Sequence, residues 1–253
     1  MLIIIKQNCC TVTFSFFLRY EIKFIYQTGC KNRFKSRILQ NIIMYLVKTP
    51  PIVKTLFADF VWQVESNINE VYLTFDDGPI PGLTPWVLDV LADYNSKATF
   101  FCVGENVKKH GSIFQRIINE GHTIGNHTFN HINGWHTDNA VYMQNIAECD
   151  KYMDTNLFRP PYGKMKPSQS SLIKSEKTVV MWDVLSGDFD RHLSKEKCLL
   201  NVLDNYHKGS VIVFHDNVKA EEKLKYVLPA FLNHLAEKGY VASNLDYLVH
   251  AYA

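Results

Sequence analysis

From Glu70 onward the chain reads as short apolar runs that alternate with helical patterns. Val71, Leu73 and Phe75 alternate with Tyr72 and Thr74, the period of a strand. The run stops at Gly78-Pro79, because Gly permits a tight turn and Pro cannot continue a ladder. Further strands are predicted over 98–103, 122–125, 156–159, 177–182, 210–214 and 240–242. Helices are predicted near 84–95, 111–120, 138–154, 167–175, 195–207 and 221–238. In 111–120 the helical period shows in Ile113, Phe114, Ile117 and Ile118, with Gly121 as the stop. Strands alternating with helices imply a parallel sheet. Seven nearly continuous apolar strands, with no obvious second half, point to a single-domain α/β fold: a distorted (β/α)7 barrel with an incompletely closed wall.

Residues 1–43 break this pattern. Their apolar runs are interrupted by Lys6, Arg19 and Lys23, and none reaches the roughly 20 residues of a membrane-spanning helix. Thr11–Leu18 has the length of a secretory apolar region, but no small-residue cleavage site follows. The segment is expected to be a disordered or non-native extension outside the fold, with Met44 as a candidate true start. A basic membrane-surface arm is the alternative. The folded domain is placed at 44–253, with its core at 70–243.

Charge and cysteine divide at the same boundary. The chain has 253 residues and a formal charge of +2. Residues 1–43 hold seven Lys and Arg against Glu21 alone, a net of +6, which leaves −4 for the remainder. A mildly acidic body argues against nucleic acid as a partner. Cys102, Cys149 and Cys198 are well separated and form no CxxC, so free buried thiols are expected.

In α/β folds chemistry gathers at the carboxyl ends of the strands. The unusual polar residues lie there: Asp76-Asp77, His127 and His131, FRPPYG at 158–163, DVLSGDFD at 183–190, and His215-Asp216. Neighbouring strand residues point opposite ways, so Asp76 and Asp77 are expected to do different jobs. They repel unless a cation or a proton intervenes. If the turn holding His127 and His131 is helical, a spacing of four puts both imidazoles on one face, able to grip one ion. Thr128 stands where the related zinc-protease motif needs Glu, which disfavours a metalloprotease of that kind. Asp76 or Asp77 would complete a set of two His and one carboxylate, leaving positions open for water and substrate. The other aspartate would then be free to act as a base.

Together these motifs resemble the polysaccharide deacetylases, carbohydrate esterases with a chitooligosaccharide-deacetylase homology domain. TFDDGP at 74–79, HTFNH at 127–131, RPPYG at 159–163, SGDF at 186–189 and VFHD at 213–216 follow the family's order. The resemblance spans about 70–243. It implies Asp76 as general base, with Asp77, His127 and His131 as metal ligands. Arg159 would orient the base and pair with Asp188. The backbone N–H of Tyr162 would hold the oxyanion, and His215 would protonate the leaving amine. Zinc is the implied ion, with cobalt, nickel, manganese or iron able to substitute.

Three positions depart from the family's pattern: Leu185 replaces an aspartate, Phe189 a tryptophan and Val213 a leucine. Phe189 and Val213 keep the apolar wall expected around the acetyl methyl, with an altered shape that bears on substrate preference. Asp216 is read equally as a helper or a cap. Asp183 and Asp190 are read as surface or loop charges, and His122, His136, His192 and His207 as structural or solvated. Trp86, Trp135 and Trp182 read as packing, with Trp135 the best placed to stack on a sugar. The resemblance implies N-deacetylation of a glycan containing N-acetylglucosamine, or less readily O-deacetylation, by a monomer acting outside the cytoplasm. The alternatives are hydrolysis of another acyl-amine bond, as in a deformylase or cyclic amidase, and a non-catalytic glycan-binding module.

Overall fold

The computed structural model describes residues 45–249, together with the backbone of 2–7, 10–15 and 25–28. The chain divides into two compact units, Met1–Leu46 and Val47–Ala253. The first unit carries β1 (Leu2–Gln7), β2 (Cys10–Ser15) and β3 (Ile25–Thr28), paired antiparallel in that order. The sequence reading found no strand period here, since Leu2 to Ile5 are consecutively apolar.

The second unit runs α1 (Pro51–Leu56), β4 (Glu70–Asp76), α2 (Leu83–Asp93), β5 (Thr99–Cys102), α3 (Gly104–Lys109), α4 (Gly111–Asn119) and β6 (Thr123–Asn126). It continues with α5 (Asn139–Asp150), β7 (Leu157–Phe158), α6 (Pro167–Ile173), β8 (Thr178–Val179), β9 (Val184–Leu185) and α7 (Lys195–Leu203). It closes with β10 (Val211–His215), α8 (Glu221–Glu237), β11 (Val241–Ser243) and α9 (Asp246–Val249). The sheet order is β8-β7-β6-β5-β4-β10-β9, every pairing is parallel, and β11 lies beside the start of β4.

The sheet has eight strands rather than the seven predicted from sequence. The unpredicted one, β9, is only two residues long, too short to show a period. α1, α3 and α9 were also unforeseen; each is six residues or fewer. Among the described residues no strand joins β8 to β9. Irregular chain lies there instead: Val61 bridges Val180, Gln63 bridges Ser210 and Lys48 bridges Val184. The half-barrel wall is therefore completed by a strap over 47–64.

Asp183 anchors that strap, correcting its assignment as a surface charge. It is fully buried, with Lys48 Nζ and Lys54 Nζ each 2.5 Å from its carboxylate and the Ser210 hydroxyl donating at 2.7 Å. Burial opposes its charge, yet the two ammonium groups and the hydroxyl hold its pKa below the usual range.

Strand alternation sorts two layers. Val71, Leu73, Phe75, Phe100, Cys102, Ile212 and Phe214 belong to one cluster with apolar residues of α2, α4, α7 and α8. There Phe75 stacks on Phe100 and Phe214, with centroids 5.1 and 5.8 Å away; each buried Phe contributes about 1.5–3 kcal/mol. Tyr72, Phe101, Leu157, Val180 and Val211 form a second cluster on the opposite, inner face. By the same alternation Thr74, Asp76, Arg159, Val213 and His215 face inward. Cys102, Cys149 and Cys198 are free and buried, as the sequence implied. Among the described residues no helix is long and apolar enough to cross a membrane.

Candidate active site

β4 and β10 are in register, so Asp76 and His215 are partners at the carboxyl ends of adjacent strands. Both point to the inner face because in-register parallel partners share an orientation. Arg159 follows β7 and is fully buried. Its guanidinium lies 4.1 Å from the Phe101 ring centroid and donates to Asp76 Oδ1 at 2.6 Å and Thr74 Oγ1 at 2.7 Å. Its remaining nitrogens donate to the Val180 and Met181 carbonyls. Burial lowers the Arg159 pKa, and Asp76 works against that effect. A buried cation needs this complete set of acceptors.

Asp188 does not pair with Arg159, contrary to the resemblance-based expectation. Its Oδ2 accepts the His215 backbone N–H at 2.7 Å, and its Oδ1 lies 2.8 Å from His215 Nδ1. Arg159 and Asp188 enter from opposite sides: Arg159 comes from β7 and Asp188 from beyond β9, which neighbours β10. Burial disfavours charge on His215, but the adjoining Asp188 carboxylate, helped by Asp77 and Asp76, raises its pKa to about 9. Phe189 meets the His215 ring edge-on at 5.1 Å. Val213 is buried on the inner face, at 1% exposure.

Asp77 lies past the strand end with φ at 86°. His127 and His131 do not sit on a helix, which corrects that part of the sequence reading. They lie on a turn in which Thr128 and His131 take positive φ values of 63° and 54°. Asn126 holds this turn through Oδ1, which accepts the Thr128 N–H, while Asn145 Oδ1 accepts those of Phe129 and Asn130. The turn still brings both Nε2 atoms to Asp77 Oδ1, at 3.6 Å for His127 and 2.9 Å for His131.

One donor atom from each of Asp77, His127 and His131 lies within 4.8 Å of the others. His127 Nδ1 is 2.7 Å from the Arg159 carbonyl. That carbonyl can only accept, so Nδ1 carries the proton and Nε2 presents a lone pair. Burial lowers the His127 pKa to about 4, keeping the imidazole neutral. Burial opposes charge on Asp77, but His131, His215 and His127 hold its carboxyl well below the usual range. Asp77 Oδ1 is buried and makes no hydrogen bond despite its closeness to His131. Converging lone pairs around an unsatisfied carboxylate oxygen fit a divalent cation.

Two neighbours of His215 complete the frame: Asp216, for which the sequence allowed a helper's role, and Asn217, which the sequence reading did not single out. Asp216 accepts the Gly78 N–H at 2.9 Å and the Thr84 hydroxyl at 2.5 Å, bracing the turn that carries Asp77. A Cβ at Gly78 would lie 1.9 Å from Asp216 Oδ2, so that turn requires Gly. Burial raises the Asp216 pKa to about 7. Asn217 Nδ2 donates to Asp77 Oδ2 at 2.5 Å. On the other wall, Tyr162 has φ at 60° and its exposed ring meets His131 edge-on at 4.6 Å. Trp135 sits on a separate 3-10 turn over Gly134–His136, and no described contact links it to these residues.

Comparison with known proteins gives a consistent result. A family model described as polysaccharide deacetylase matches residues 63–178. A peptidoglycan-N-acetylglucosamine deacetylase of Bacillus cereus is 39% identical over 59% of the chain, which spans 56% of that relative. A chitooligosaccharide deacetylase of Azorhizobium caulinodans is 30% identical over 66% of the chain and 90% of its own length. Among solved structures, a peptidoglycan N-acetylglucosamine deacetylase superimposes with a TM-score of 0.72 at 32% identity. The match covers 78% of this chain and 96% of that one.

Proposed function

The chain belongs to the polysaccharide deacetylase family, and from that membership we propose that it is a metal-dependent hydrolase removing N-acetyl groups from a glycan containing N-acetylglucosamine. The observation that carries this reading is the convergence of Asp77, His127 and His131 beside the in-register pair Asp76 and His215. The peptidoglycan and chitooligosaccharide named for the relatives support this substrate class and action outside the cytoplasm.

Asp77, His127 and His131 would hold a divalent ion, zinc being best suited to two imidazoles and a carboxylate. Such an ion supplies Lewis acidity, making water nucleophilic near neutral pH and polarising the amide carbonyl. The protein's own groups carry the protons. Asp76, fixed by Arg159 at 2.6 Å, accepts the proton of the attacking water. His215, with Nδ1 turned to Asp188, presents its other nitrogen to the leaving amine and protonates it. The Tyr162 N–H would stabilise the developing oxyanion. Phe189, edge-on to His215, would line the space for the acetyl methyl.

The test measures acetate and formate released from N-acetylated chitooligosaccharides and peptidoglycan fragments. Acetate release is expected from wild type. Asp76→Asn should abolish turnover while keeping the bound metal, and His127→Ala should lose both. Wild-type rates in Asp76→Asn refute the base; formate without acetate refutes deacetylation.

A further inference from the structure

The carboxylate of Asp77 is held at both oxygens by different kinds of group. Oδ1 faces the two imidazoles, whereas Oδ2 accepts a hydrogen bond from Asn217 Nδ2 at 2.5 Å. The Asn217 amide cannot turn over without loss. Its Oδ1 accepts the backbone N–H groups of Lys219 at 2.8 Å and Ala220 at 3.0 Å, just before α8. A flipped amide would set its oxygen against Asp77 Oδ2 and its NH2 group against two donors.

The backbone of Asp77 is tied as well. Its N–H donates to the Phe101 carbonyl at 3.2 Å, and its own carbonyl accepts from Asn106 Nδ2 at 2.8 Å. With the main chain fixed, rotation of the side chain is the freedom that remains, and Asn217 removes it. A carboxylate free to rotate would present either oxygen, or both, and would lose side-chain entropy on gripping an ion.

We propose that Asn217 is a positioning residue that holds the Asp77 carboxylate in a one-oxygen presentation toward His127 and His131. The tie joins the metal site to the start of α8, and it rests on the metal-centre reading above. Partners that orient a ligand in this way typically account for 10–100-fold in metal affinity.

The test compares wild type, Asn217→Ser, Asn217→Ala and His127→Ala. Cobalt(II) and zinc affinity are measured by competition with a chromophoric chelator, alongside the visible spectrum of the cobalt form and the melting temperature of metal-free protein. A serine hydroxyl can still accept from the N–H groups before α8 but is too short to reach Asp77, so it separates the tie from the cap. Asn217→Ser should weaken metal binding about 10–100-fold and alter the cobalt spectrum, with a smaller fall in metal-free melting temperature than Asn217→Ala. Asn217→Ala should weaken binding similarly and lower that temperature further. If His127→Ala loses the ion while Asn217→Ser keeps wild-type affinity and spectrum, the positioning role is refuted and the metal centre stands. If His127→Ala binds as wild type does, both fall together.

Discussion

At the residue scale, the two proton-handling groups are tuned by separate partners. Arg159 serves Asp76, and Asp188 serves His215. The His215 pKa is raised to about 9, above the ordinary value near 6.5. The pairing therefore stabilises the folded state fully below the ordinary value, and that contribution is lost as pH rises through about 9. Replacing Asp188 with Asn keeps the shape and removes the charge. NMR titration of metal-free Asp188→Asn should show the His215 pKa falling back toward 6.5. The stability gap between wild type and variant should be widest below that pH and close on the alkaline side. Turnover should fall by about 10² or more, because the leaving amine loses its acid.

At the element scale, the site depends on how β4, β5 and β6 lie side by side. Phe101 of β5 is in register with Gly125 of β6 and with Asp76 of β4. A Cβ at Gly125 would come within 2.4 Å of the Phe101 ring, and that ring lies beneath the Arg159 guanidinium. Overpacking there would pass from ring to guanidinium to base. Gly125→Ala should cost about 1–3 kcal/mol in urea unfolding. It should also lower kcat for acetate release, although Gly125 touches neither the ligand set nor the catalytic pair. Wild-type kcat in a destabilised variant would show that Arg159 tolerates the shift. The turn bearing His127 and His131 is likewise built by its neighbours, since Asn126 and Asn145 supply the acceptors that hold its positive-φ residues.

At the scale of the whole molecule, the gap between β8 and β9 is spanned by the 47–64 strap, pinned through Asp183. Removing the carboxylate would leave Lys48 and Lys54 facing each other near the barrel wall. Asp183→Ala should destabilise by about 3 kcal/mol in urea unfolding, the lower end for a broken buried pair because both lysines retain solvent contact. Since the folded pKa of Asp183 is depressed, its contribution is present above the ordinary carboxylate value and is lost as pH falls through the folded one. The difference between wild type and variant should therefore persist at neutral pH and shrink only in strong acid.

The alternation of the main strands and helices, the separate jobs of Asp76 and Asp77, and the gathering of one of these aspartates with His127 and His131 at one rim were legible in the sequence. They rest on short-range periodicity and on motifs whose members lie a few residues apart. The partner of Asp188, the burial of Asp183, the two-residue strand β9 and the grip of Asn217 on Asp77 were decided only by tertiary structure. Asp188 and His215 are 27 positions apart, and Asn217 and Asp77 are 140 apart. No local pattern encodes such distances. Which side chains meet across the barrel depends on sheet order and wall closure, and these emerge when many strands bury their apolar faces together.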